Sequence, residues 1–150
     1  MEISLVLDAS SIVKWFVKEQ ESDEMCKIRD LFLEGKLAIY IPSLVFVELA
    51  NALRYVKNFT ASDVINAVKA LKLLHLNVVG NDEILDEAIK IAFNYNITVY
   101  DALYVALAKI TSSKLVTYDK ELLTKFSDIA RKASQVLNEI GLRSSTQNLS

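Results

Sequence analysis

The chain has little of several things that would settle a class by themselves. One cysteine, Cys26, among 150 residues permits no intramolecular disulfide, which excludes a secreted, disulfide-stapled scaffold. With one histidine beside it, a clustered His/Cys zinc site is excluded too. One proline and three glycines leave little material for linkers, and suit a helix-rich fold with short connections. No apolar run reaches the roughly 18–20 residues that span a bilayer. Met1-Glu2-Ile3-Ser4 lacks the basic start of a secretory leader, so a cytoplasmic location is expected. Positive charge is not in excess either. Seventeen basic against 19 acidic residues give a net charge of −2, unlike a protein that grips duplex DNA by bulk electrostatics.

What is present is a globular composition, 52% hydrophobic and 24% charged. No internal repeat or linker marks a second unit, so a single domain over 1–142 is expected, followed by a polar, flexible tail over 143–150.

The stretch Ile3–Asp8, ISLVLD, reads as a strand buried on both faces that runs into an aspartate. The residues after it, Ser11–Val17, read as a short buried helix, and Glu19–Leu33 as an amphipathic one with Gly35 at its C-cap. Leu37–Ile41 is a second strand. Ser43 is expected to cap a helix to about Lys57, with Leu44, Val45, Leu49, Ala52, Leu53 and Val56 inward. Thr60 or Ser62 starts the next helix, to about Leu74, with Ile65 among its inward residues; His75 ends it as a dipole partner. Asn77–Val79 is a short strand. Asp82 is expected to cap Glu83–Tyr95, with Ile84, Leu85, Ala88, Ile91 and Ala92 inward. Asn96–Tyr100 is β-prone, and Asp101 opens a helix apolar all round, as a central helix is. Lys114–Tyr118 is a strand running into Asp119 and the helix Lys120–Phe126. Asp128–Ile140 has helical spacing and is expected to close at Gly141.

This alternation of strand and helix implies a parallel sheet, whose carboxyl edge is where ligands bind. Asp8, Asp101 and Asp119 fall at or just past strand ends, and Glu48 lies a turn into the helix after the second strand. Each has a bland reading. The aspartates can be helix caps, and Glu48 can reach solvent from the edge of its apolar stripe. Together, converging carboxylates repel one another unless some take up protons or a cation intervenes. Oxygen-only donors suit Mg²⁺ or Mn²⁺, which can activate a water against a phosphodiester and stabilise the leaving oxygen.

The segments VLDASSIVKWF, IPSLVFVELANAL, TVYDALYVALA and KLVTYDKEL resemble the PIN domain, most closely the ribonuclease toxins of VapBC-type toxin–antitoxin pairs. The resemblance runs from about Ile3 to Phe126. It implies a three-layer α/β/α sandwich around a mainly parallel sheet, a four-acid Mg²⁺ or Mn²⁺ site and endonucleolytic cleavage of RNA. Matched by position, Asp8, Glu48, Asp101 and Asp119 form the acidic set, with Asp8, Asp101 and Asp119 on the metal. Ser10 and Thr117 match small hydroxyl positions that support the acids. The resemblance also implies a homodimer and a small cognate antitoxin. Lys14 and Arg54 are candidates for phosphate contacts, though surface charges are more often without such a role. The departure is at the end, where family members close with a short strand and Ile129–Ile140 reads as helix.

Three other readings stay open on the sequence. One is a housekeeping RNA nuclease, and another a binding module that keeps the acids as caps. The third, a flavodoxin-like phosphoacceptor, needs a lysine after a late strand, whereas Lys114 precedes its strand.

Overall fold

The computed structural model describes the backbone of residues 2–148 and the side chains of residues 2–141. Five strands, β1 (Ile3–Leu7), β2 (Leu37–Pro42), β3 (Asn77–Val79), β4 (Lys114–Val116) and β5 (Ala130–Arg131), form one sheet in the order β3-β2-β1-β4-β5. Every neighbouring pair is parallel. Strand β1 is central, and Leu5, Val6 and Leu7 are buried with no polar face, as its unbroken apolar run requires. The chain builds outward on one side of β1 through β2 and β3, then returns to its other side with β4. The β1/β4 junction is therefore the topological switch point, where the crevice of an open α/β sheet lies.

The helices are α1 (Ala9–Ile12), prolonged by a 3-10 turn at Val13–Trp15, α2 (Ser22–Leu33), α3 (Leu44–Arg54), α4 (Ala61–Leu73), α5 (Asn81–Tyr95), α6 (Val99–Ile110), α7 (Lys120–Lys125) and α8 (Ala133–Asn148). They flank the sheet in the expected three-layer α/β/α arrangement. Every residue of α6 from Ala102 to Ala108 is buried, and the helix lies across β1, β2 and β4. It is the central helix that its all-apolar sequence indicates. Among the described residues, no helix is long and apolar enough to cross a membrane.

Local chemistry sets the helix ends. Gly35 sits at φ +74° after α2, where the Gly35 N–H reaches Phe32 O (3.0 Å) and the Lys36 N–H reaches Leu31 O (2.9 Å). At the start of α4, Thr60 and Asp63 close a reciprocal capping box.

Several expectations are corrected. Asn96–Tyr100 is not a strand: Asn96 ends α5 in the left-handed region (φ 52°), and the Thr98 hydroxyl caps α6 two residues on. A cap and a tight αα connection override the β propensity of Thr98 and Val99. Ser43 makes no side-chain cap. The Leu44 N–H instead donates to Asn81 Oδ1 (3.0 Å), and the Asn81 N–H donates to Ser43 Oγ (3.3 Å). At α5 the cap comes from Glu83, which accepts from the Gly80 N–H (2.8 Å), not from Asp82. Ile65 and Leu85 are 54% and 38% exposed, at the margins of their stripes.

The largest correction is at the end of the chain. Ala130–Arg131 is a short strand paired with β4, and α8 begins only at Ala133 and runs through Gly141 to Asn148. The side chains of the expected tail, and its last two residues, lie outside the described part.

Candidate active site

The switch point gathers the acids. Asp8 follows β1 and is only 6% exposed. Its carboxylate accepts from the Ser11 N–H (3.1 Å) and from Ser10 Oγ (2.6 Å), and also from Thr117 Oγ1. It is therefore both the N-cap of α1 and the centre of a hydroxyl cradle. Ser10 and Thr117 also join Asp8 to the chain after β4. Ser10 Oγ accepts from the Tyr118 N–H (2.9 Å), and Thr117 Oγ1 accepts from the Asp119 N–H (3.1 Å). Asp119 in turn caps α7 through the Leu122 N–H (2.9 Å). One strand end is thus bonded directly to the next.

Asp101 is not at a strand end. It stands in the first turn of α6, half-buried, with its N–H donating to Thr98 Oγ1 (3.1 Å). Glu48 comes from the second turn of α3, half-buried, and accepts a hydrogen bond from the Tyr104 hydroxyl. Asp8, Glu48, Asp101 and Asp119 line one open cleft of about 480 Å³, with Ser10, Asn51, Tyr100 and Tyr104 also in its walls.

The electrostatics are those of unneutralised carboxylates. Burial pushes the Asp8 carboxyl up to about 6 against the three hydrogen bonds that favour its anion, and Asp101 adds a like-charge push. Asp101 is raised by burial first, then by the charges of Asp119 and Glu48. Burial and the adjoining Glu48 carboxylate push the Tyr104 phenol far above its ordinary range, so it remains a donor. Among the described residues no lysine or arginine pairs with any of the four acids. Their hydrogen-bond donors are hydroxyls and backbone amides, which hold carboxylates in place without cancelling their charge.

This donor set fits a hard divalent cation. It is all oxygen and concentrated in one cleft, and its most buried member is held toward its protonated form when no cation is near. No three His, Cys, Asp or Glu side chains close into a ready coordination group among the described residues. Such an arrangement suits Mg²⁺ or Mn²⁺ bound through one or two carboxylates and several waters. Asp8, Asp101 and Asp119, all in the wall of that cleft, are the residues that would supply those carboxylates.

Two candidates do not belong to the cleft. Lys14 is 8% exposed, with Nζ donating to Gln20 O (2.7 Å) and Glu19 Oε1 (3.2 Å) and lying 4.2 Å from the centre of the Tyr118 ring. A buried cation satisfied in this way offers nothing to a phosphate. Arg54 is exposed but lies six residues beyond Glu48 on α3, over the Tyr55 ring (5.1 Å) and in an adjacent apolar groove. Tyr104 and Asn51 escaped the sequence reading. Each stands three residues after an acid, Asp101 and Glu48, and so shares its helix face. That spacing was the available signal, and in α6 the run of apolar neighbours concealed it.

The PIN domain family model matches residues 5–132. The chain belongs to the PIN domain family. Ribonuclease VapC3 of Pyrobaculum aerophilum is 32% identical to it, over 83% of this chain and 95% of that protein. Exonuclease VapC9 of the same organism is also 32% identical, over 83% of this chain and 87% of that protein. Among solved structures, VapBC2 from Rickettsia felis bound to a DNA fragment from their promoter shares the fold. It has a TM-score of 0.62 at 18% identity, covering 87% of this chain and 98% of that one. The closing strand of PIN domains, absent from the sequence reading, is present as β5.

Proposed function

We propose that this PIN domain is a divalent-metal-dependent endoribonuclease and the toxin of a type II toxin–antitoxin pair. The observation that carries the proposal is the convergence of Asp8, Glu48, Asp101 and Asp119 on one cleft at the sheet's switch point, with no basic residue paired to them among the described residues. The relatives named as VapC nucleases support the same reading.

Bound Mg²⁺ or Mn²⁺ would supply Lewis acidity, lowering the pKa of an attacking water and stabilising charge on the leaving oxygen. The chain's own residues do the rest. Asp8, fixed by Ser10, Ser11 and Thr117, and Asp101 and Asp119, each at a helix start, carry their carboxylates in the wall of the same cleft. Glu48 orients the attacking water by accepting its hydrogen bond. The water oxygen bonds to phosphorus as the P–O3′ bond breaks, leaving a 5′-phosphate and a 3′-hydroxyl.

The test uses labelled single-stranded RNA, linear and closed circular, incubated with Mg²⁺, Mn²⁺ or EDTA beside Asp8→Asn and Asp101→Asn. Metal-dependent cutting of the circle, lost in both variants, supports internal cleavage at this site. Cutting confined to the linear form would make the enzyme an exonuclease, as the name of one relative states for that protein. Full activity in Asp8→Asn would overturn the assignment.

A small antitoxin that obstructs the cleft, and a homodimer, belong to the same proposal. The likeness to VapBC2 from Rickettsia felis supports the first. The exposed stripe Leu85, Ile89 and Phe93 along α5, with Phe93 84% exposed, supports the second. Growth arrest on expression, relieved by co-expressing a small protein encoded beside this one, checks the antitoxin; no relief by any adjacent gene would count against it, and sedimentation checks the dimer.

A further inference from the structure

We propose that Tyr104 is a positioning residue of the acidic cleft, its hydroxyl holding one carboxylate oxygen of Glu48 so that the other is presented to a divalent cation or to that cation's water. The proposal rests on reading the cleft as a metal-dependent nuclease centre.

Tyr104 stands one turn beyond Asp101 on α6. It is 2% exposed, yet it forms part of the cleft wall. Its hydroxyl donates to Glu48 Oε1, and among the described residues this is the only hydrogen bond that the Glu48 carboxylate receives. The bond ties α6 to α3 across the site.

Glu48 needs such a tether. It has three rotatable side-chain bonds and is half-buried, and it is close enough to Asp101 that their charges repel. Left free, repulsion and side-chain entropy would turn its carboxylate toward solvent. A lysine or arginine partner would hold it but would cancel charge that a cation needs. A phenol fixes it and leaves the charge intact. Ser10 and Thr117 treat Asp8 in the same way, so hydroxyl donors are the consistent device of this site. Core packing does not explain the hydroxyl, because phenylalanine would fill the same space in α6.

Mn²⁺ binding by titration calorimetry on the intact chain tests the proposal, with wild type, Tyr104→Phe, Glu48→Ala and the double variant. Tyr104→Phe should bind Mn²⁺ about tenfold more weakly. The Mn²⁺ concentration for half-maximal cleavage should rise by a similar factor, while the metal-free thermal midpoint stays close to wild type. In the Glu48→Ala background Tyr104→Phe should cause no further loss, since the hydroxyl acts only through that carboxylate. Wild-type binding by Tyr104→Phe, or an equal loss with and without the Glu48 carboxylate, would overturn the proposal.

Should Tyr104→Phe fold poorly, Glu48→Asp withdraws the carboxylate from the phenol by one methylene. It should show the same weakened binding, and unchanged binding would overturn the proposal. Failure of the underlying metal reading is separately visible, because the wild-type chain itself would then bind no Mn²⁺.

Discussion

Replacing Asp8 by asparagine should stabilise the metal-free protein at neutral pH while abolishing its response to metal. Asp8 is buried, and its carboxyl rises from 3.8 to about 6 on folding. A rise of that size corresponds to about 3 kcal/mol of folding free energy. The sign follows from where the proton sits. Between the two values the folded chain keeps a proton that the unfolded chain has released, so stability from this group falls as pH climbs from about 4 to about 6 and stays low above. Asparagine carries no charge at any of these values and avoids the loss. It gives part of it back, because its amide group must face one of the hydroxyls that now donate to the carboxylate. A net gain of about 1–2 kcal/mol at pH 7 is expected, or about 2–8 °C in Tm for a chain of this size. Urea or thermal unfolding in EDTA, repeated from pH 4.5 to 8, measures it. The advantage of Asp8→Asn should shrink toward zero at the acid end. Added Mn²⁺ should raise the midpoint of wild type and leave that of the variant unmoved. An Asp8→Asn protein equally destabilised at pH 5 and pH 7 would refute the reasoning.

Four further outcomes follow from the structure. Mn²⁺ affinity should drop steeply below about pH 6, as protons compete for Asp8; calorimetry at pH 5 and 7.5 checks this. Lys14→Met should lower stability by about 1–2 kcal/mol, because Lys14 is buried and bonded, yet leave KM for RNA nearly unchanged. Thr117→Val removes a donor to Asp8 and the acceptor for the Asp119 N–H. It should cost about 1–3 kcal/mol in urea unfolding and move the acid limb of the pH–rate profile upward. Gly35→Ala should cost about 1 kcal/mol, since φ +74° penalises a Cβ although the space around it is open.

Much of this organisation was legible because chain-local signals agreed with the global fold. ISLVL and LAIYIP are unbroken apolar runs, and central parallel strands need that pattern. The continuous apolar face of α6 identified it as the buried helix. Asp8 could be placed because it directly follows β1, and Asp119 because it comes three residues after β4; adjacent parallel strands bring their ends together. What was not legible depended on pairing or reach. Two residues, Ala130 and Arg131, make a strand only because β4 offers its edge, and nothing in their own pattern separates them from the helical spacing that follows. Thr98 and Val99 favour a strand until Thr98 caps the next helix. Lys14 reads as a surface cation, and only the folded chain shows its ammonium held by Gln20 O above the Tyr118 ring. The Ser43–Asn81 exchange joins two helix starts far apart in sequence, which no local pattern could show.

The claim that the four acids form a metal centre is tested most directly by anomalous diffraction from crystals of the intact chain soaked in Mn²⁺. The account predicts a peak in the cleft within about 2.0–2.5 Å of carboxylate oxygens from at least two of Asp8, Asp101 and Asp119. A cleft without a peak, in crystals where Mn²⁺ reaches other surface sites, would contradict it.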